Sequence, residues 1–210
     1  MRILLLNPNA NEATTRLMVS IAQEAAGTRA QIEGMTAPSG PLMIIDETAL
    51  NRAAELMAWL VGEINSQEPD AVIISGYGDP GLNALRSSLD MPVMGIGEAS
   101  LLEASQHGPF AIATTTPGLA APITRMAQRV SAEKFRGVFL TRSDPLVLAR
   151  DEAATLEELR ECCLRAMQES DLSAIIIGGG PLAVAARELG REFAVPIVEP
   201  IPAAVRLLLK

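Results

Sequence analysis

A chain of 210 residues in which 49% are hydrophobic is long enough to enclose one large core or two small ones. Its formal charge of −8 argues against nucleic acid or an anionic membrane surface as a partner. No apolar run nears the roughly 20 residues of a membrane span, and the opening Met1-Arg2-Ile3-Leu4-Leu5-Leu6 is too short for a signal peptide.

In chain order, residues 2–7 read as a first strand that runs into Asn7-Pro8-Asn9, and 43–45 form a shorter, weaker candidate. Residues 48–65 carry Leu50, Ala53, Ala54, Met57, Leu60, Val61 and Ile64 at helical spacing, and the lone Trp59 on this helix reads as core or interface packing. Strand 71–75 enters the loop Gly76-Tyr77-Gly78-Asp79-Pro80-Gly81, and strand 93–97 leads to Glu98. His107 lies in a turn before strand 110–114, where solvent exposure is expected, and that strand ends in Thr114-Thr115-Thr116-Pro117.

Strand 137–140 follows, then a helix over 151–170 with Leu156, Leu159, Cys163 and Met167 on one stripe. The adjacent Cys162 and Cys163 cannot form an ordinary disulfide framework. They lack metal-ligand spacing and, by this reading, a basic partner, so they read as packing residues in a reducing, cytoplasmic setting. Strand 174–178 enters Gly178-Gly179-Gly180, and 196–198 precede Glu199. Short apolar runs bounded by turn residues are typical of strands buried on both faces of a parallel sheet.

The halves match one another. The loops after 2–7 and 110–114, the glycine loops after 71–75 and 174–178, and the segments 91–98 and 195–200 are each about half a chain apart. The expected fold is α/β, with two pseudo-symmetric lobes, each a parallel sheet flanked by helices, and a cleft between them. The lobes are expected to comprise 1–97 plus 200–210, and 98–199.

Functional loops in such sheets lie beyond the carboxyl ends of the strands. Those ends carry Asn7, Asn9, Ser75, Tyr77, Asp79, Glu98, Thr114, Thr115, Thr116 and Glu199 with the glycines. The amides and hydroxyls of Asn7, Asn9, Thr114 and Thr115 suit a carboxylate or ureido group, or the capping of the next helix. Gly76, Gly78 and Gly81 also match a dinucleotide pattern. Against that reading, the loop follows an internal strand and Asp79 would face a pyrophosphate.

Asn7-Pro8-Asn9, Gly78-Asp79-Pro80-Gly81-Leu82, Gly95-Ile96-Gly97-Glu98-Ala99, Thr114-Thr115, and Pro196-Ile197-Val198-Glu199 with Ala203-Ala204-Val205 together resemble the aspartate/glutamate/hydantoin racemase family, nearest its hydantoin and allantoin branch. The resemblance implies a two-lobed, often oligomeric enzyme. It acts without metal or cofactor on a carbon acid next to a carboxylate or carbonyl, with one cysteine thiol on each face of the substrate. Gly76 and Gly179 occupy the two cysteine positions here, and glycine has no side chain to titrate.

The two-thiol mechanism is therefore unavailable. The backbone N–H groups of Gly76, Tyr77, Gly179 and Gly180 are instead expected to approach an anion, with Ser75 beside them. The remaining candidate acids are Tyr77, Asp79, Glu98 and His107. Tyr77 equally reads as packing, and Asp79, Glu98 and Glu199 as caps of the helices that follow them. The expectation is a metal-free, cofactor-free, homo-oligomeric enzyme for an amino acid, hydantoin or malonate-like compound. The alternatives are a lyase resembling arylmalonate decarboxylase, or a catalytically silent binder of small carboxylates.

Overall fold

The computed structural model describes residues 1–210. Four parallel strands form a first sheet: β1 (Arg2–Asn7), β2 (Gln31–Thr36), β3 (Ala71–Ile74) and β4 (Val93–Gly95), in the order β2-β1-β3-β4. Four more form a second: β5 (Phe110–Thr114), β6 (Phe135–Leu140), β7 (Ala174–Ile177) and β8 (Ile197–Val198), in the order β6-β5-β7-β8. The same order occurs twice, so the two halves of the chain are copies of one α/β plan.

Parallel neighbours need long crossovers, and helices supply them. In the first half these are α1 (Glu12–Ala26), α2 (Glu47–Trp59), α3 (Val61–Ser66), α4 (Leu82–Ser88) and α5 (Ile96–His107). In the second they are α6 (Ala120–Ser131), α7 (Pro145–Leu148), α8 (Glu152–Glu169) and α9 (Ala183–Glu192), while α5 links the first sheet to the second and α10 (Pro200–Leu208) follows the last strand. Asn11, Asp46 and Asp151 start α1, α2 and α8 by accepting from Thr14 N, Ala49 N and Ala154 N.

Side-chain alternation along the strands builds three cores. Ile3, Leu5, Ala71 and Ile73 of the first sheet and Phe110, Ile112, Ala174 and Ile176 of the second belong to one shared core of 30 buried residues. Leu4, Leu6, Val72 and Ile74 face an outer core with Met57 and Ile64. Ala111, Ala113, Ile175 and Ile177 face the other, with Leu159, Cys162 and Cys163 of α8. The inner core joins the two sheets, so their carboxyl ends are held in fixed relation.

Several expectations are corrected. Residues 43–45 are not a strand. They lie in the connection from β2 to α2, where Ile44 packs on the shared core and Asp46 bridges Gly118 of the second half. The missing strand is β2 at the sheet edge, where Ile32 is buried in the shared core and Met35 on the opposite face in the outer core, while Gln31 and Gly34 are exposed. The helix expected over 48–65 breaks at Leu60 (φ −83°, ψ 0°) into α2 and α3. Trp59 is 85% exposed and belongs to no core, because it falls on the outer side of α2 at this break.

Candidate functional site

The carboxyl ends of β1 and β3 bring Asn7, Asn9 and the first glycine loop together. Those of β5 and β7 bring the threonines and the second glycine loop. The two loops touch. A Cβ on Gly178 would lie 2.8 Å from Tyr77 Cε1, and one on Gly180 would lie 3.2 Å from the Ser75 carbonyl oxygen. Within each loop the neighbours of one glycine are buried while the glycine itself is partly open: Gly76 between Ser75 and Tyr77, and Gly179 between Gly178 and Gly180.

The backbone donors differ between the loops. Gly76 and Tyr77 donate their N–H groups to no protein acceptor, whereas Gly179 N donates to Ile177 O (3.1 Å) and Gly178 N to Ala113 O (2.8 Å). The N–H groups of Gly76 and Tyr77 are therefore open, and that of Gly179 is already engaged. Gly78 and Gly81 pack against Leu50 and Met57 of α2, so the glycines of the dinucleotide-like pattern answer to close packing.

Asn7 is fully buried. The two N–H groups of its Nδ2 are shared among Asn9 Oδ1 (3.0 Å), Asn11 O (3.2 Å) and Thr15 Oγ1 (2.9 Å), and its Oδ1 accepts from Asn9 N (3.1 Å). This network shapes the loop and leaves the half-buried Asn9 with an unengaged Nδ2. Ser75 Oγ donates to Leu6 O (3.1 Å). Thr114 Oγ1 donates to Gly178 O (2.6 Å), tying β5 to the second loop, while the Thr115 hydroxyl engages no protein group.

The candidate acids separate by environment. Tyr77 lies in the shared core with its OH 3.4 Å from Ser100 Oγ, and burial pushes its phenol well above the usual range. Glu98 forms a two-point ion pair with Arg86 (2.5 and 3.2 Å). Glu199 pairs with Arg187 (3.2 Å), though burial still raises its carboxyl. Neither carboxylate donates or accepts as a side-chain helix cap, because each is drawn to its arginine. His107 is exposed and closes α5, at the end where the chain enters β5.

Asp79 does not cap the helix that follows it. Gly81, at φ +79°, opens α4 without a side-chain cap. The Asp79 carboxylate instead accepts from Gly97 N (2.8 Å) and Glu98 N (2.6 Å) at the start of α5. That capture also ends β4 at Gly95, two residues before the expected strand end. Burial pushes the carboxyl up to about 7 against the opposing pull of these two hydrogen bonds and of Arg86.

The cysteines face the outer core beneath α8, together with Ile177 of β7. One expectation about them is corrected: Cys162 does have a basic neighbour, Arg165, whose Nη2 is 3.2 Å from Sγ. Burial still raises the Cys162 thiol and pushes Cys163 up to about 12. No group of three or more His, Cys, Asp or Glu side chains is placed to hold a metal ion. No helix is long and apolar enough to cross a membrane.

Two further residues join the site beyond those expected from the sequence: Ser100, the buried partner of Tyr77, and Pro8, whose ring crowds Gly76. A Cβ at Gly76 would lie 2.5 Å from Pro8 Cγ. Pro8 is visible in Asn7-Pro8-Asn9, but its approach to residue 76 depends on the pairing of β1 with β3.

The sequence model of the family described as Asp/Glu/Hydantoin racemase matches residues 3–208. A hydantoin racemase of Paenarthrobacter aurescens is 30% identical over 213 residues, covering 99% of this chain and 89% of that protein. The structure of an allantoin racemase from Klebsiella pneumoniae superposes with a TM-score of 0.92 at 28% identity, covering 99% of this chain and 86% of that one. A mutant of arylmalonate decarboxylase has the same fold at 16% identity, with a TM-score of 0.68 and coverage of 99% and 92%.

Proposed function

The chain belongs to the Asp/Glu/hydantoin racemase family, and from that premise we propose that it acts, without metal or organic cofactor, on a carbon acid next to a carbonyl or carboxylate. The substrate class is a hydantoin, an open ureide, an amino acid or a malonate. The single observation that carries this reading is the meeting of two thiol-free glycine loops, Tyr77 on Gly178 and Ser75 on Gly180.

The chemistry follows from what those loops offer. Loss of the α-proton places negative charge on the neighbouring oxygen. The open N–H groups of Gly76 and Tyr77 are donors for that charge. Asn9 Nδ2 and the Thr115 hydroxyl supply donors for the remote carboxylate or ureido oxygen. The reacting proton exchanges with water or a carboxyl group, since neither loop carries a thiol. In this reading the enzyme works in the cytoplasm as a homo-oligomer.

A decarboxylase-like reading uses the same donors. The bond to the departing carboxylate breaks, carbon dioxide leaves, and the enediolate takes a proton from water. Proton NMR in deuterated water distinguishes the cases with a 5-substituted hydantoin, allantoin, an acidic amino acid and an arylmalonate as probes. Exchange of the α-proton with carbon retained supports racemase chemistry, and loss of carbon dioxide supports the lyase. Thermal stabilisation by a probe without either change marks a binder and contradicts the enzymatic reading.

A further inference from the structure

Asp79 is the buried carboxyl of the first loop to which the proposed reaction assigns no part. Its backbone sits at φ +53°, a left-handed conformation that costs a non-glycine residue about 1 kcal/mol. Its two oxygens are divided between Gly97 N and Glu98 N, the first free donors of α5. Gly95 and Gly97 make the room: a Cβ at Gly95 would overlap the carboxylate, and one at Gly97 would lie 3.0 Å from Oδ2.

A second tie runs parallel to the first, from Tyr77 OH to Ser100 Oγ, one turn further along α5. Helix α5 packs against α6 and β7 of the second half and against α10. The loop carrying Gly76 and Tyr77 is thus anchored on the element that also contacts the sheet bearing Gly178 and Gly179.

We propose that Asp79 is a positioning residue whose carboxylate clamps loop 75–81 to α5 and so sets the direction in which Gly76 and Tyr77 present their N–H groups across the cleft. The inference rests on the reading of that cleft as the reaction site. The buried clamp borders a groove of about 340 Å³ between α4, α5 and α6, lined by Asp79, Asn83, Glu98, Met126 and Arg129. The charged and titratable groups facing Asp79 are Glu98, itself held by Arg86, then Arg129 of α6 and Tyr77 of its own loop.

Burial in this setting places the protonation of Asp79 near neutrality. As a carboxylate it accepts both N–H groups. As a neutral acid it keeps one acceptor, and its own O–H faces the second donor. The tie between loop and helix therefore changes across the neutral range.

The test is a pH titration of backbone amide resonances in the full chain. Gly97 and Glu98 are expected to shift with a common midpoint near 7, with Gly76 and Tyr77 reporting the same midpoint, and Asp79→Asn is expected to abolish the step at all four. Asp79→Gly, which accepts the left-handed backbone, serves as a second folded variant with the same expectation. Titration of Gly97 and Glu98 without Gly76 and Tyr77 overturns the proposal, as does a variant whose loop amides stay at wild-type positions.

These spectra read the enzyme without substrate, so their failure is distinct from absence of α-proton exchange by the wild type. Where the wild type exchanges a probe, Asp79→Asn is expected to lower kcat about tenfold or more, with little change in KM and loss of the inflection near pH 7. An unchanged pH profile would reduce Asp79 to a helix cap.

Discussion

The Tyr77 ring from the first half of the chain rests on Gly178 from the second, where a Cβ would lie 2.8 Å from Cε1 and 2.9 Å from Ile112 Cγ2. Both neighbours are buried and belong to the core that joins the sheets. This contact holds the glycine loops together, and it leaves Gly178 no space for a side chain.

Gly178→Ala should therefore destabilise the fold by about 1–3 kcal/mol, the usual cost of overpacking a tight core. Tyr77→Ala in the same chain should relieve part of that penalty. A double-mutant cycle in urea reads the coupling, and additive effects would separate the two residues.

Restoring thiols should be asymmetric. A Cβ at Gly179 meets the flexible end of Leu182 at 2.9 Å, whereas one at Gly76 meets the Pro8 ring at 2.5 Å. Gly179→Cys should change stability by less than about 1 kcal/mol, and Gly76→Cys should cost about 1–3 kcal/mol. The pair together should create or raise α-proton exchange, further improved by Pro8→Ala. Urea melts and deuterium incorporation check the two halves of this expectation.

Asp79 should leave a mark on stability against pH. Its carboxyl is raised from 3.8 to about 7 in the fold, so the folded chain holds this proton more tightly than the unfolded chain. The resulting contribution is complete below the ordinary aspartate value and is lost as pH rises through about 7, with a slope of up to about 1.4 kcal/mol per pH unit. Glu158, held below the usual range by hydrogen bonds from Ser143 and Arg142, acts with the opposite sign. The difference between wild type and Asp79→Asn isolates Asp79, and parallel curves from pH 4 to 8 would contradict this assignment.

Cys162 and Cys163 should be inert in the folded chain. Both are fully buried, and burial disfavours both thiolates. Reaction with a disulfide reagent should be slower than in denaturant by about two orders of magnitude or more. Rapid modification of either thiol under native conditions would show that α8 opens readily.

The strands most legible in the sequence are those buried on both faces. Ala71-Val72-Ile73-Ile74 and Ala174-Ile175-Ile176-Ile177 carry no alternation to misread, and the loops after them follow directly. β2 is less legible because Glu33 and Gly34 interrupt an edge strand, while in Met43-Ile44-Ile45 it is Ile44 that meets the shared core without forming a strand. At the site, the glycine loops and threonines lie at strand ends and could be placed from sequence. The bond from Asp79 to residues 97 and 98 could not, because it depends on how α5 approaches the loop. Its one trace in the sequence is Gly95 and Gly97, the space that the carboxylate fills.

The most direct test removes the thiols altogether. In the double variant Cys162→Ala and Cys163→Ala, proton NMR in deuterated water measures α-proton exchange, or loss of carbon dioxide, on the same four probes. A site made of thiol-free glycine loops predicts turnover within about twofold of wild type on whichever probe the wild type accepts. Turnover that disappears with the cysteines would contradict the account, as would a wild type inert toward all four.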